Sequence, residues 1–240
     1  MREYLLSPHV YLCITDDHAV LLDLQRDKYV GVGRAQMNAL ATRVLGWPVL
    51  GAASDAVSPP RDARSDAMVS DMHAAGMLTT DPAVGKDARP LAMERVQSAL
   101  LQPDLEARPE VKAGDVARFL HAATTAALAL RLRSIGSVVE RIRKRKARHA
   151  ASSGPVDHEA ARQLVAAFVH LRPLLFGAQD ACLFDSVAIV ELLARRGIFP
   201  TWVFGVQTAP FAAHCWVQDG AVVFNDTPER VRRFTPILAI

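Results

Sequence analysis

The chain has 240 residues, half of them hydrophobic and 22% charged, with 28 basic side chains against 25 acidic ones for a net charge of +3. That balance excludes disorder, collagen and coiled coil for the chain as a whole, and it supplies no global field that would demand a nucleic-acid partner. Three cysteines, Cys13, Cys182 and Cys215, are too few and too odd in number for a disulfide framework.

The opening MREYLLSPHV lacks a basic start and an unbroken apolar run, so no signal peptide is expected. Val10-Tyr11-Leu12-Cys13-Ile14 is β-branched and aromatic and ends at Thr15-Asp16-Asp17, which reads as a strand closed by a turn. Residues 19–24 and 29–33 read as two further short strands around the polar stretch 25–28. From Ala35, the positions Met37, Leu40, Ala41, Val44 and Leu45 share one helical face, and Gly46 and Pro48 stop the helix. A loop around Ser58-Pro59-Pro60 leads to a second helix over 64–75, closed by Gly76.

Residues 81–109 hold four prolines (Pro82, Pro90, Pro103 and Pro109) and many charges, the composition of a connector, with one short helix expected over 93–101. Residues 115–149 read as one long helix, or two broken at Gly136. The stretch ends in a basic run of Arg141, Arg143, Lys144, Arg145, Lys146 and Arg148. Its apolar part, 116–132, is interrupted by Arg118 and His121, rich in Ala, and at the short limit for crossing a bilayer. A soluble, cytoplasmic protein is therefore expected. Asp157 caps a helix that carries Leu164, Val165, Phe168 and Leu171 at helical spacing. Residues 181–196 form a strongly apolar helix stopped by Gly197, followed by strands over 202–206, 214–218 and 221–224, with Asp219-Gly220 as a hairpin turn. The fold class is α+β.

Three residues of this last segment suggest chemistry. Cys182 opens a helix, where the dipole and loose N–H groups favour a thiolate and can donate to an oxyanion. His214 opens one strand and Asp226 closes the next, so a nucleophile on a helix faces a base and an orienting acid on a sheet. Register decides the partner of the imidazole. A two-residue turn at Asp219-Gly220 sets His214 opposite Asn225, and one extra residue sets it opposite Asp226; both stay open on spacing alone. A buried cysteine is usually a small hydrophobe, and that reading is given to Cys13 and to Cys215, which alternation turns away from His214.

The run Cys182-Leu183-Phe184-Asp185-Ser186, then Arg195-Arg196-Gly197, Pro200-Thr201-Trp202-Val203-Phe204-Gly205-Val206, Phe211-Ala212-Ala213-His214-Cys215-Trp216-Val217 and Asn225-Asp226-Thr227-Pro228 resembles the lasso peptide B proteins, maturation proteases of the transglutaminase-like superfamily. The likeness is dense over roughly 171–236. It implies Cys182 as nucleophile, His214 as base and Asp226 as orienting acid, in a transglutaminase-like (papain-like) domain of helices packed on an antiparallel sheet over 113–240. Residues 1–82 are similar to the winged-helix-like leader-recognition element of such systems, here fused through a linker over 83–112; the order strand, hairpin, helix, helix and the run Tyr29-Val30-Gly31-Val32-Gly33 carry that likeness.

The resemblance further implies a ribosomal precursor peptide whose leader adds as a strand to the N-terminal sheet, and an asparagine-synthetase-like cyclase as partner. Gly31-Val32-Gly33 lacks phosphate-loop spacing and no Walker pattern occurs, so any ATP belongs to the cyclase and no cofactor is expected here. No C-x-x-C or H-E-x-x-H pattern suggests a metal. Two other classes compete: a DNA-binding winged-helix regulator using the basic run, and a non-catalytic peptide-binding scaffold. Against the regulator, the basic run lies outside the N-terminal module and the second helix (Arg64, Asp66, Asp71) is not notably basic.

Overall fold

The computed structural model describes residues 3–15, 18–48, 63–101, 109–149, 154–174 and 181–240. The loop expected around Ser58-Pro59-Pro60 lies outside them. The chain forms two compact units, Met1–Ala92 with Val206–Phe211, and Met93–Gly205 with Ala212–Ile240.

In the first unit, β1 (Leu5–Leu6) precedes the strands β2 (Val10–Ile14), β3 (Ala19–Asp23) and β4 (Lys28–Val32), then the helices α1 (Arg34–Arg43) and α2 (Ala63–Ala74) and the strand β5 (Leu78–Thr79). β2, β3 and β4 make an antiparallel sheet with β3 in the middle, paired Val10↔Asp23 on one side and Asp23↔Lys28 on the other. The centre of that sheet is buried along its whole length. Asp23 closes the β3–β4 turn: its carboxylate accepts from the amides of Gln25 (2.9 Å) and Arg26 (3.1 Å) and from the Arg26 guanidinium (2.9 Å). Burial opposes its charge, yet those donors hold the carboxyl below its usual value. Leu12, Leu21, Leu40, Trp47, Met72 and Leu78 share one core with Ala88. Residues assigned to the connector therefore begin inside this unit: the Lys86 amide also donates to Leu6 O at 2.9 Å.

The second unit begins with β6 (Ser98–Ala99), continues through α3 (Ala113–Leu132), α4 (Ile135–His149), α5 (His158–Leu171) and α6 (Cys182–Ala194), and ends with β7 (Thr201–Thr208) and β8 (Phe211–Asp219), apart from the Val206–Phe211 stretch that counts with the first unit, then β9 (Val222–Val223), α7 (Pro228–Val231) and β10 (Thr235–Ala239). The sheet order is β10-β7-β8-β9-β6. α3 packs on α5 and α6, with Phe119 and Phe168 edge-to-face at 5.3 Å. Among the described residues no helix is long and apolar enough to cross a membrane.

Three expectations need correction. The sheet is not wholly antiparallel, because β6 joins β9 in parallel (Ser98↔Val222); a parallel partner needs a long crossover, and α3 to α6 supply it. The short helix expected over 93–101 is extended chain ending in β6. Val96 and Leu100 are both buried, and a spacing of four fits period 2 as well as period 3.6, so the pattern was ambiguous. The amides of Gln97 and Leu100 instead bond to Ala221 and Val223 carbonyls at 2.8 and 2.7 Å. The break in the long helix falls before Ile135, not at Gly136, because Ser134 Oγ accepts from the Ser137 amide (3.3 Å) and starts a new helix.

The basic run is largely consumed inside this unit. Arg141 and Arg145 reach Glu191 of α6 at 2.6 and 2.7 Å, and Lys146 Nζ donates to the carbonyls of Pro200 and Ile240, both at 3.2 Å. Burial pushes the Lys146 amine below its usual value. Lys144 and Arg148 of the same run stay exposed.

Candidate active site

α6 is apolar on nearly every side and stops at Gly197, whose φ of +73° suits glycine. Its first residue is Cys182, half-buried, with Ala181 as N-cap offering no side-chain acceptor. Residues 175–180, just before it, lie outside the described residues. At the helix mouth the unpaired amides and the dipole favour an anionic sulfur.

β8 carries His214 to that mouth. Its ring lies 5.0 Å from Phe234 and 6.1 Å from Trp216, stacked on the latter at 27° between planes, and is almost fully buried. Nε2 donates to Asp226 Oδ2 at 2.5 Å. With Nε2 committed to the carboxylate, Nδ1 is the ring nitrogen left for sulfur. The other carboxylate oxygen, Oδ1, accepts from the Thr227 amide at 2.7 Å. All three residues singled out from sequence thus meet at one place.

The route to that meeting differs from both expected registers. The turn is Gly220-Ala221, with Asp219↔Val222 and Gln218↔Val223 paired, so the ladder sits two residues further along than the register that faces His214 with Asn225 and one further than the register that faces it with Asp226. Gly220 takes φ +51°, the left-handed conformation the turn demands. Pairing ends at Val223, and Asp226 approaches His214 from the bend that follows, not from a facing strand position. Asn225 turns elsewhere. Its Oδ1 accepts from the Val217 amide at 2.8 Å, and its Nδ2 donates to Ser186 Oγ at 3.1 Å.

Electrostatics split the pair. A hydrogen bond from the Cys215 side chain, joined by the Cys215 amide and His214, outweighs burial and lowers the Cys182 thiol to about 4. Burial alone would push His214 down; the hydrogen bonds and charges of Asp226 and Cys182 overcome it and raise the imidazole to about 9. Between those values the site holds a thiolate beside an imidazolium. One turn on, Asp185 is raised by burial although Arg172 Nε donates to both its oxygens at 2.7 and 2.8 Å.

Cys215 was the residue the sequence concealed. Alternation does turn it away from His214 along β8, yet both residues act on the titration of Cys182 at its helix end. No spacing rule carries that information, because it depends on where α6 meets the sheet. Beside the site, a cleft of about 320 Å³ is lined by Trp216 and Phe234, the rings that hold His214, together with Glu94, Arg95 and Arg232. Among the described residues no group of three or more His, Cys, Asp or Glu is arranged to hold a metal ion.

Comparison with known proteins agrees with this architecture. Residues 122–239 match the family model of the transglutaminase-like superfamily. A 59-residue stretch, 25% of this chain, is 39% identical to the microcin J25-processing protein McjB of Escherichia coli and covers 28% of that protein's length. No solved structure matches. The superfamily match over residues 122–239 and the segment shared with McjB support a likeness to the lasso peptide B proteins, with a transglutaminase-like domain of α+β architecture.

Proposed function

We propose that this chain is a lasso peptide maturation protease that binds the leader of a ribosomal precursor and cuts it from the core by thiol catalysis. One observation supports the reading: the His214 imidazole, with Nε2 held 2.5 Å from the Asp226 carboxylate, is raised by Cys182 while the half-buried Cys182 thiol at the helix mouth is lowered in part by His214. The Cys182 thiolate attacks the scissile carbonyl, and first-turn amides of α6 are placed to receive the developing oxyanion. His214 as imidazolium protonates the departing amine, which leaves with the new N-terminus of the core. The neutral imidazole then takes a proton from water as it attacks the thioester. The leader leaves as an acid, and the thiolate returns. Asp226 keeps the ring in place and stabilises its charged form.

The first unit, read as a winged-helix-like element, receives the leader as an added strand at an edge of its β2-β3-β4 sheet, where backbone bonds give affinity. The protein works in the cytoplasm beside an asparagine-synthetase-like cyclase, which consumes the freed core N-terminus and supplies the ATP chemistry. The test is direct: the full chain is incubated with the precursor peptide of its own gene neighbourhood and the products are weighed. Leader and core of complementary mass are expected from the wild type and none from Cys182→Ala, which still binds leader peptide. Cleavage by Cys182→Ala overturns the reading.

A further inference from the structure

We propose that the cavity over Gly31 is a side-chain subsite for the leader: it seats one bulky apolar residue, aromatic or branched aliphatic, of a peptide strand added beside β4. The inference rests on the reading of the first unit as the leader-binding element.

The cavity, of about 340 Å³, lies wholly within the first unit. Val20 of β3, Tyr29 and Gly31 of β4, and Thr208 and Phe211 of the Val206–Phe211 stretch wall it, with His18 also in its lining. Register fixes which face of the sheet it covers. Val20 pairs with Gly31 and Leu22 with Tyr29, so these four share one face. Leu21, Val30 and Val32 turn to the other and join the core with Leu40 and Met72. The cavity therefore stands on the face away from that core. Phe211, 55% exposed, meets Tyr29 edge-to-face at 5.8 Å, and the two rings give it apolar walls. Its volume is at the low end of the range for ligand sites, room for a side chain and not for a folded element.

Gly31 is what opens it. The residue sits within a strand, exposed and outside the left-handed region, so the backbone there has no need of glycine. Packing has none either: a Cβ would meet nothing within 4 Å. A strand glycine forfeits side-chain contacts and weakens the strand. Where neither a turn nor close packing calls for it, it marks the approach of a ligand or another backbone. β4 is also an edge strand, and among the described residues no strand pairs along its outer side. Through Tyr29 and Gly31 the cavity is continuous with that edge. A strand added there lies about 4.8 Å from β4, and its residue opposite Gly31 projects onto the same face as Val20. With no side chain between, it lies across the glycine toward Val20, Tyr29 and Phe211, as an aromatic ring covers a glycine in a neighbouring strand. Backbone bonds to β4 hold any extended peptide; the seat over Gly31 selects one with an apolar side chain in register.

The test titrates the full chain with a fluorescein-labelled leader peptide of the precursor from its own gene neighbourhood. Gly31→Val, whose branched side chain suits a strand and fills the seat, is expected to weaken binding at least about 10-fold at an unchanged melting temperature. Phe211→Ala, which removes a largely exposed wall, is expected to weaken binding too. On the peptide side, each apolar leader residue is replaced by Ser in turn. One replacement is expected to cost the wild type about 10-fold and Gly31→Val almost nothing, because the variant has already lost that contact. Wild-type affinity in Gly31→Val, or in Phe211→Ala where Gly31→Val does not fold, overturns the proposal, as do losses that add independently in every pair. Each of these outcomes leaves the leader reading standing. A wild-type chain that binds no leader at all brings down that reading and the subsite with it.

Discussion

Asn225 and Asp226, adjacent in sequence, turn to different partners: the amide ties Val217 of β8 to Ser186 of α6, and the acid takes Nε2 of His214. One neighbour holds the scaffold and the other holds the imidazole. Substitution separates them. Asp226→Asn is expected to lower the cleavage rate by about 10³–10⁴ while leaving the fold intact, the cost seen when an orienting carboxylate is replaced by its amide. Asn225→Ala leaves the Val217 amide without its partner and is expected to lower stability by about 1–3 kcal/mol. Precursor-cleavage kinetics and urea unfolding of both variants check the division; equal losses of activity and stability in each would contradict it.

The pH dependence follows from the thiolate–imidazolium pair. With Cys182 lowered to about 4 and His214 raised to about 9, kcat/KM is expected to rise as pH passes through the first value and fall through the second. The same shifts act on stability. The raised His214 contributes fully below its unfolded value and loses that contribution as pH climbs through about 9; the lowered Cys182 contributes above its unfolded value and loses it as pH falls through about 4. Cys182→Ser removes the low-pH limb of the stability profile, which thermal melts from pH 3 to 10 would record.

Glu191 is the buried member of a three-charge cluster, 7% exposed and held by Arg141 and Arg145. Removing one partner of such a cluster leaves the others without compensation, so Glu191→Ala is expected to cost about 3–5 kcal/mol. Lys144, 70% exposed and 3.4 Å from Glu140, carries the ordinary surface value, and Lys144→Ala is expected to change stability by less than about 0.5 kcal/mol. Chemical denaturation of the two variants checks the contrast. A silent Glu191→Ala would mean that the basic run faces solvent.

How much of this was legible without coordinates varies with the range of the interaction. The strands around Leu12, Leu21 and Val30 followed from local pattern, because β-branched runs between turn residues admit few alternatives. The Asp157 cap was equally plain, and its Oδ1 accepts from the Ala160 amide at 3.0 Å. Cys182, His214 and Asp226 stood out by residue type and position, and the structure brings them together. β6 and β10 did not stand out, since each is short and is ordered by a partner distant in sequence: Ala99 by Val223, and Ile240, just past β10, by Trp202. The fate of Arg141 and Arg145 was hidden for the same reason. A charge run looks solvated until the acid it meets, fifty residues on, is known.

Gly205 offers the sharpest steric test of the site. A Cβ there would stand 2.8 Å from Cη2 and Cζ3 of Trp216 and 3.0 Å from Phe234 Cβ, inside any tolerable contact with two groups that have little room to move. Those are the rings that flank His214. Gly205→Ala is therefore expected to displace the imidazole along with its supports, costing about 1–3 kcal/mol in overpacking and, for a misplacement near 1 Å, about 100-fold in kcat/KM. Gly31 in β4 has nothing within 4 Å of the same added atom, so Gly31→Ala is expected to leave stability within about 0.5 kcal/mol of the wild type. Urea unfolding reads the first quantity in both variants and precursor turnover reads the second in Gly205→Ala. A Gly205→Ala chain that cuts at the wild-type rate would show that Trp216 and Phe234 do not set the position of His214.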